Sequence, residues 1–218
     1  MKSQDILLVA KLACVHIAHE HEQSVDPGAL ADIPNDWRGW VQDPEFEAEE
    51  EPIPMSTGHE TRPRWTYSGL ADALGISVSE CNEAARRMVN SELLRLPRGG
   101  GHPVPVASAI MEFLAHGCRY VFPPVRGSLV RGVPTAAFAP VLAERLSTAS
   151  EYPDVWPDGF GKSTGLSLEP IHRSVPLAVR RDPLLYELLA LVDSVRLGRA
   201  RESGVAVGLI EERLAVFR

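Results

Sequence analysis

Apolar residues recur at helical spacing near both ends of the chain. In residues 3–22 they fall three and four positions apart, which predicts an amphipathic helix. The apolar positions are Ile6, Leu7, Val9, Ala10, Ala13, Cys14 and Ile17. Residues 183–218 are again strongly helical and predict two helices that meet near Gly198 or Gly204.

Short strands and further helices are expected between these ends. Residues 94–96 predict a strand, residues 97–103 a flexible glycine-rich tip, and residues 104–106 a returning strand. Residues 107–116 predict a helix that ends at Gly117, because glycine commonly follows the last helical turn.

The pattern is weaker in the C-terminal half. Residues 118–122 alternate like a short strand, and residues 136–147 predict a helix. Residues 150–175 are expected to be mostly loop, with one strand at 166–171. Taken together, the pattern predicts a mainly α protein with a small β-hairpin at residues 94–106.

Helical periodicity stops between residues 25 and 63. Six prolines interrupt this stretch, at Pro27, Pro34, Pro44, Pro52, Pro54 and Pro63. Low hydrophobicity, high charge and proline together favour a long, partly disordered insert. Trp37 and Trp40 are the exception, and their spacing predicts a short helical turn that docks on the core.

The composition indicates a globular protein without a membrane segment. The chain has 218 residues, 44% of them hydrophobic, which is enough for one sizeable core or two small ones. No apolar run reaches the roughly 18–20 residues that a membrane span needs. Cys14, Cys81 and Cys118 are scattered and odd in number, which favours a cytoplasmic, reduced protein with buried thiols.

The acidity of the chain belongs to one short segment. The chain carries 22 Lys and Arg against 29 Asp and Glu, a formal charge of −7. Residues 43–60 hold seven of these acids and no base, so this segment alone accounts for the −7. Residues 61–218 carry 19 bases against 16 acids. An acidic total therefore does not exclude a basic binding surface elsewhere in the chain.

Residues 70–88 predict two helices joined by a tight turn. Leu70 and Leu74 share one helical face, and Gly75 permits the positive-φ bend that ends the first helix. Ser77 is expected to cap the second helix through a capping box with Glu80, three residues later.

The second helix, expected over residues 78–91, has one buried and one outward face. The expected buried residues are Cys81, Ala84 or Ala85, and Met88. The expected outward residues are Ser79, Asn82, Glu83, Arg86, Arg87 and Asn90. These hydrogen-bonding and cationic groups suit contacts to base edges and phosphates.

This segment resembles the helix–turn–helix of bacterial winged-helix regulators of the MarR-like kind. The matching positions are Leu70, Ala71, Leu74, Gly75, Ile76 and Cys81. The resemblance covers about residues 64–105 and the N-terminal helix. It implies a winged helix–turn–helix domain over residues 1–105, with the acidic insert at about 25–63, and an α-rich regulatory or dimerisation module over residues 106–218.

The resemblance also implies a function. A regulator of this kind binds double-stranded DNA with its second helix in the major groove and its wing on the backbone or in the minor groove. The residues expected to contact DNA are Ser77, Ser79, Asn82, Glu83, Arg86, Arg87, Arg95 and Arg98. The expected protein is a dimeric transcriptional repressor. The alternative is a helical pair that serves only as a scaffold or as a protein-binding surface.

The C-terminal half suggests a partner. Residues 119–136, 167–176 and 182–193 resemble segments of bacterial winged-helix proteins of unassigned role, some of them antitoxin-like partners of nucleotidyltransferase toxins. This implies the alternative function, a protein-interaction module that binds its partner through the C-terminal half. An apolar stripe at 184–195 is expected to form core, a homodimer interface or both, because a two-fold regulator reads two half-sites.

Neither catalysis nor a cofactor is expected. Residues 126–132 lack the Gly-Lys-Ser/Thr ending of a phosphate-binding loop, so this segment is predicted to be a turn. His16, His19 and His21 lie near one helix end without a fourth ligand at a telling distance, so no metal is expected. A regulator that responds to a small molecule is a third alternative, with Tyr120, Phe122 and Trp156 as candidate pocket residues.

The acidic segment generates a first prediction. Residues 43–60 should repel the phosphate backbone or compete for Arg86, Arg87, Arg95 and Arg98. Replacing them with a short Gly/Ser linker should tighten binding to random-sequence DNA, which is almost wholly electrostatic. The gain should be clearest below about 0.1 M salt, where the Debye length exceeds roughly 10 Å. Affinity that does not change across a salt titration would instead indicate a solvated loop.

Overall fold

The structure, a computed structural model, describes residues 1–23, 39–40, 66–98, 102–143, 145–147, 150–180 and 182–217. The protein is mainly helical, with a two-strand hairpin and a small three-strand sheet. The helices are α1 (Ser3–Gln23), α2 (Tyr67–Leu74), α3 (Val78–Asn90), α4 (Ala107–His116), α5 (Cys118–Val121), α6 (Pro140–Ala143), α7 (Val175–Ala178), α8 (Pro183–Leu197) and α9 (Ala200–Arg213). The strands are β1 (Leu94–Arg95), β2 (Val104–Pro105), β3 (Arg126–Pro134), β4 (Asp154–Pro157) and β5 (Ser163–Leu168). Two 3-10 turns, Ala136–Phe138 and Leu214–Phe217, complete the described elements.

Helix α8 lies at the centre of the molecule. All of residues 185–196 are buried, so this helix has no solvent-facing side along most of its length. It packs against α1, α4, α5, α9 and the 3-10 turn Ala136–Phe138. Asp182 begins the helix by accepting a hydrogen bond from the Leu185 amide, and Gly198 ends it in the left-handed conformation with φ 65°. The predicted helix junction at Gly198 is confirmed.

The charged residues of α8 are paired inside the protein. The Asp193 carboxylate accepts hydrogen bonds from Thr135 Oγ1 at 3.0 Å, Trp156 Nε1 at 2.6 Å and Arg196 Nη1 at 2.5 Å. Arg196 also donates to the carbonyl of Phe122 at 2.9 Å. This network joins α8 to β4 and to the chain that precedes β3, so one buried carboxylate organises much of the C-terminal half.

Two further ion pairs join α8 and its cap to other helices. Glu187 accepts from Arg213 Nε on α9 at 2.8 Å. Asp182 accepts from Lys11 Nζ on α1 at 2.6 Å. The pair to Lys11 connects the first helix of the chain to the C-terminal helices.

The three long strands pair in a closed arrangement. Strand β3 is antiparallel to both β4 and β5, and β4 pairs with β5 in parallel. The backbones approach very closely where Gly132 meets Gly161, since a Cβ at Gly161 would lie 2.2 Å from the Gly132 carbonyl. Glycine is therefore required at this crossing.

The sheet overturns several expectations for the C-terminal half. Residues 126–132 belong to β3 and are not a turn, and β4 falls within the stretch expected to be mostly loop. Residues 118–121 form helix α5 instead of a strand. The helix expected over residues 136–147 is reduced to a 3-10 turn and α6. The physical reason is that β3 gains its hydrogen bonds from partners about 20 to 40 residues away, which local periodicity cannot reveal.

Gly39 and Trp40 dock on this sheet. The Trp40 indole donates to Asp158 at 3.0 Å, and the Gly39 carbonyl accepts from the Lys162 amide at 2.9 Å. Trp40 forms a β-bridge with Gly161, so the docking expected for Trp40 is confirmed. Trp37 and the remainder of the acidic insert lie outside the described residues.

One hydrophobic core crosses the predicted boundary between residues 105 and 106. Buried side chains of α1, α2 and α3 pack in the same cluster as those of α8 and α9. The apolar stripe at 184–195 is part of this core, and only Leu184 within it is half-buried. The stripe therefore does not form an exposed dimer interface, because its apolar area is already removed from water within the chain.

The structure describes the three cysteines and the helices to which the composition-based expectations refer. Cys14, Cys81 and Cys118 are free and buried, as predicted, and burial raises the pKa of Cys81 to about 11 and that of Cys118 to about 12. Within the described residues, no helix combines the length and the apolar character needed to cross a membrane.

The Asp193 network generates a stability prediction. Arg196→Met should lower the free energy of unfolding by about 3–5 kcal/mol, because it leaves the buried Asp193 carboxylate without its cation. Arg199→Met is the matched control, since Arg199 is exposed and lies 3.3 Å from Glu202 on the surface. Its effect should stay within about 0.5 kcal/mol. Urea unfolding measures the free energy of unfolding of both variants. An equal decrease in the two variants would contradict the assigned role of Arg196.

Candidate nucleic-acid interface

Helices α2 and α3 form the predicted helix–turn–helix. Thr66 caps α2 by accepting a hydrogen bond from the Gly69 amide at 3.1 Å. Gly75 ends α2 in the left-handed conformation with φ 62°, and the following Ile76 amide donates to the Ala71 carbonyl at 3.0 Å. The positive φ explains the glycine, because a side chain would strain this turn.

A capping box begins α3, as predicted. The Glu80 amide donates to Ser77 Oγ at 3.2 Å, and the Ser77 amide donates to Glu80 Oε2 at 3.0 Å. The Ser77 hydroxyl also donates to the same carboxylate oxygen at 2.7 Å. These hydrogen bonds lower the pKa of Glu80 below its usual value. Both side chains therefore serve mainly to define where α3 starts.

The two faces of α3 divide as the sequence predicts, apart from Arg87. Its buried residues are Cys81, Ala84, Ala85 and Met88. Ser79, Glu83 and Arg86 are exposed, and Asn82 is half-buried with its Nδ2 donating to the Val78 carbonyl at 2.9 Å. The accessible polar groups of α3 therefore form one continuous face of the helix.

Arg87 is the main correction to the predicted site. Its guanidinium binds the Asp5 carboxylate of α1, with Nη2 2.6 Å from Oδ1 and Nε 3.0 Å from Oδ2. The Asp5 side chain is fully buried, whereas that of Arg87 is 28% exposed. Glu83 adds a longer contact of 3.5 Å to Nη1. Arg87 therefore faces α1, and it positions α3 instead of being presented outward.

A signal for this pair is present in the sequence. Asp5 directly precedes the apolar residues Ile6, Leu7 and Leu8, all of which are buried. An acid on the core side of a helix needs a cation or several hydrogen-bond donors, since burying an unpaired carboxylate is costly. The sequence shows this need, but it does not show which arginine meets it.

The hairpin follows directly after α3. Leu94 pairs with Pro105 and Arg95 with Val104, which confirms the two predicted strands. Leu94 is buried against the core, whereas Arg95 and Arg98 are exposed. The tip at residues 99–101 lies outside the described residues.

The accessible cations of α3 and the hairpin segment include Arg86, Arg95 and Arg98. Among the described residues, no carboxylate forms an ion pair with Arg86, Arg95 or Arg98. The arginines used structurally behave differently, as Arg126 binds both oxygens of Asp154 at 2.7 and 2.8 Å. Accessible guanidinium groups without an internal carboxylate are available for an external anion.

The other candidate sites are the three histidines near the end of α1 and the aromatic residues of the C-terminal half. In the described part of the chain, no group of three or more His, Cys, Asp or Glu residues could hold a metal ion. His16 lies edge-on to Phe217 with ring centroids 5.8 Å apart, and the side chains of His19 and His21 fall outside the description. Tyr120 is 75% exposed whereas Trp156 is buried against Asp193, so these aromatic residues do not line a common pocket.

A small apolar pocket of about 40 Å³ lies between α1, α4, α8 and α9 instead. Val9, Phe113, Leu188 and Ile210 are among its lining residues. The lining residues are all apolar, so they offer no side-chain polar group to orient a ligand.

Comparisons with known proteins do not add an assignment. No protein-family model, no curated protein and no solved structure matches this chain. The arrangement of α3, the hairpin and their side chains is therefore the evidence from which function is inferred.

The Asp5–Arg87 pair generates a prediction that separates the two neighbouring arginines. Arg87→Ala should lower the free energy of unfolding by about 1–3 kcal/mol, because it leaves the buried Asp5 carboxylate without its charged donor. Arg86→Ala is the matched control and should stay within about 0.5 kcal/mol, since Arg86 is exposed.

The free energy of unfolding is measured in urea for both variants and for Arg87→Ala in an Asp5→Asn background. The loss caused by Arg87→Ala should shrink in that background, because the partner charge is gone. An unchanged loss would mean that Arg87 stabilises the fold through contacts other than Asp5.

Proposed function

We propose that this chain is a sequence-specific DNA-binding transcriptional regulator of the winged-helix kind, and that α3 enters the major groove. The observation that carries the proposal is the set of contacts that hold α3 in place. The capping box defines its start, Gly75 sets its angle to α2, and the Asp5–Arg87 pair joins it to α1. Contacts that must match base edges require such a rigid support.

Each residue of the exposed face suits a particular contact. Arg86 fits the O6 and N7 acceptors of guanine, and Glu83 can accept from the cytosine amino group. Asn82 can accept from the N6 amino group of adenine and donate to its N7. Ser79 can reach either bases or phosphates. To contact adenine, Asn82 would give up its 2.9 Å hydrogen bond to the Val78 carbonyl, and this costs little free energy at a solvent-accessible position.

The hairpin supplies the backbone contacts in this proposal. Arg95 and Arg98 are exposed beyond the C-terminal end of α3, where phosphate groups would flank a helix in the groove. Ser77 supports the start of α3, and Arg87 is left out of the DNA contacts because Asp5 binds it.

A dimeric repressor remains part of the proposal, because a two-fold protein reads two half-sites of an operator. Its interface would use surface other than the α8 stripe, which is buried within the chain. Exposed apolar side chains near α5 and the start of β3 offer such a surface. They are Tyr120, Val121, Val125 and Leu129.

The same exposed residues favour a second candidate function. A partner protein bound through the C-terminal half, as an antitoxin-like module would bind a toxin, could cover these side chains, since large exposed apolar groups are typical of interaction surfaces. Co-purification with the product of a neighbouring gene, lost in Tyr120→Asp, would support that function independently of DNA binding.

The DNA-binding proposal is tested through Arg86. Arg86→Ala should weaken binding to the region upstream of its own gene by about five- to 160-fold, because a bidentate arginine–guanine contact provides about 1–3 kcal/mol of discrimination. Arg201→Ala, which removes an exposed arginine from the first turn of α9, should leave the affinity unchanged.

Fluorescence anisotropy at fixed salt measures both affinities, with a mixed-sequence duplex of equal length as competitor. If wild-type protein binds neither duplex, or if Arg86→Ala binds as tightly as wild type, α3 is not a recognition helix.

A further inference from the structure

Residues 171–178 lie against the turn between α2 and α3. Helix α7 packs on α2, and the side chains of Ser174 and Leu177 come close to Gly75. A Cβ built at Gly75 would lie 3.4 Å from Ser174 Cβ and 3.4 Å from Leu177 Cδ2. A segment about 100 residues away in the chain therefore borders the helix–turn–helix at the end where α3 begins.

Arg173 is the cation that this segment carries. Its side chain is exposed, and no described carboxylate forms an ion pair with it. Arg180, seven residues later, instead binds Asp158 at 2.7 Å and stacks over the Phe160 ring. The difference indicates that Arg180 has a structural task whereas Arg173 is available to an external anion.

The local turn holds the backbone beside Arg173 in place. His172 Nδ1 and Ser174 Oγ are 2.8 Å apart, and the Ser174 amide donates to the same ring nitrogen at 3.3 Å. The hydrogen bonds with Ser77 are the main cause of the lowered pKa of Glu80, and the positive charge of Arg173 lowers it slightly further. Arg173 directly precedes Ser174, which lies against Gly75, so it borders the turn that leads into α3.

We propose that Arg173 contacts a phosphate of duplex DNA beside the first turn of α3, so that the nucleic-acid interface continues into the C-terminal half of the chain. This inference rests on the proposed DNA-binding function and extends it to a residue outside the helix–turn–helix and the hairpin.

The charge distribution along α3 supports this assignment. The 13-residue helix is about 20 Å long, and Arg86, Arg95 and Arg98 all lie toward its C-terminal end or beyond it. Its first turn exposes Glu80, whose carboxylate is committed to the capping box and would repel phosphate. Arg173 places a positive charge at this end and offsets Glu80, so both ends of α3 can approach the phosphate backbone.

The test uses the full-length protein and a labelled mixed-sequence DNA duplex, because non-specific binding reports phosphate contacts directly. Removing one phosphate contact lowers the slope of log affinity against log salt by about 0.9. For Arg173→Ala, the loss of affinity between 50 and 200 mM salt should therefore be about 3.5-fold smaller than for wild type.

Three comparison variants make the result specific. Arg173→Lys keeps the charge and should keep the wild-type slope. Arg201→Ala removes an equally exposed arginine on α9 and should also keep it. Arg95→Ala removes a proposed phosphate contact of the hairpin and should lower the slope by about 0.9, which establishes in the same assay that the hairpin faces the DNA.

The outcomes separate this inference from the function on which it rests. A wild-type slope for Arg173→Ala, together with a lowered slope for Arg95→Ala, overturns the contact by Arg173 and leaves the DNA-binding function in place. Equal slope changes for Arg173→Ala and Arg201→Ala overturn it too, because they show only a general charge effect. If the wild-type protein does not bind the duplex at all, both proposals fail together.

Discussion

The complete burial of α8 is the constraint on which the rest of the structure depends. A helix without a solvent-facing side must pair its charged groups internally, because an unpaired buried charge costs several kcal/mol. The Asp193 carboxylate accepts hydrogen bonds from Arg196, Thr135 and Trp156, and the Glu187 carboxylate accepts one from Arg213. These partners come from α8 itself, from α9 and from the chain around the three-strand sheet. The pairing of the buried charges of α8 therefore determines how the C-terminal elements are arranged around this helix.

The same principle operates on a smaller scale at α3. Asp5 is buried near the start of α1, and Arg87 is its cation. One pair therefore joins the first helix of the chain to the helix that presents the candidate DNA-binding face. Since α1 also contacts α8 through the shared core and through Lys11 and Asp182, the position of α3 is coupled to the C-terminal half. The two predicted domains are thus physically continuous at the core.

Arginines in this protein fall into two groups. Five arginines bind internal carboxylates, and they are Arg87, Arg126, Arg180, Arg196 and Arg213. All but Arg196 bind a carboxylate from a distant part of the sequence, and Arg196 reaches the distant carbonyl of Phe122. Arg86, Arg95, Arg98 and Arg173 are exposed around α3 and the hairpin. The planar guanidinium suits both tasks, because it binds carboxylate and phosphate with the same pair of parallel hydrogen bonds. Only the three-dimensional surroundings separate structural arginines from those available to a ligand.

The sequence by itself determined the elements whose signals are local. The helix–turn–helix followed from Gly75, the Ser77 capping box and apolar spacing, and the hairpin and the two last helices followed from equally short patterns. Strands β3 and β4, the helical state of residues 118–121, the partner of Arg87 and the position of Arg173 were decided only by the tertiary structure. The physical reason is the separation along the chain between the groups that interact. Caps and turns are satisfied within about four residues, whereas strand pairing and buried ion pairs join groups that the chain brings together only when the core forms.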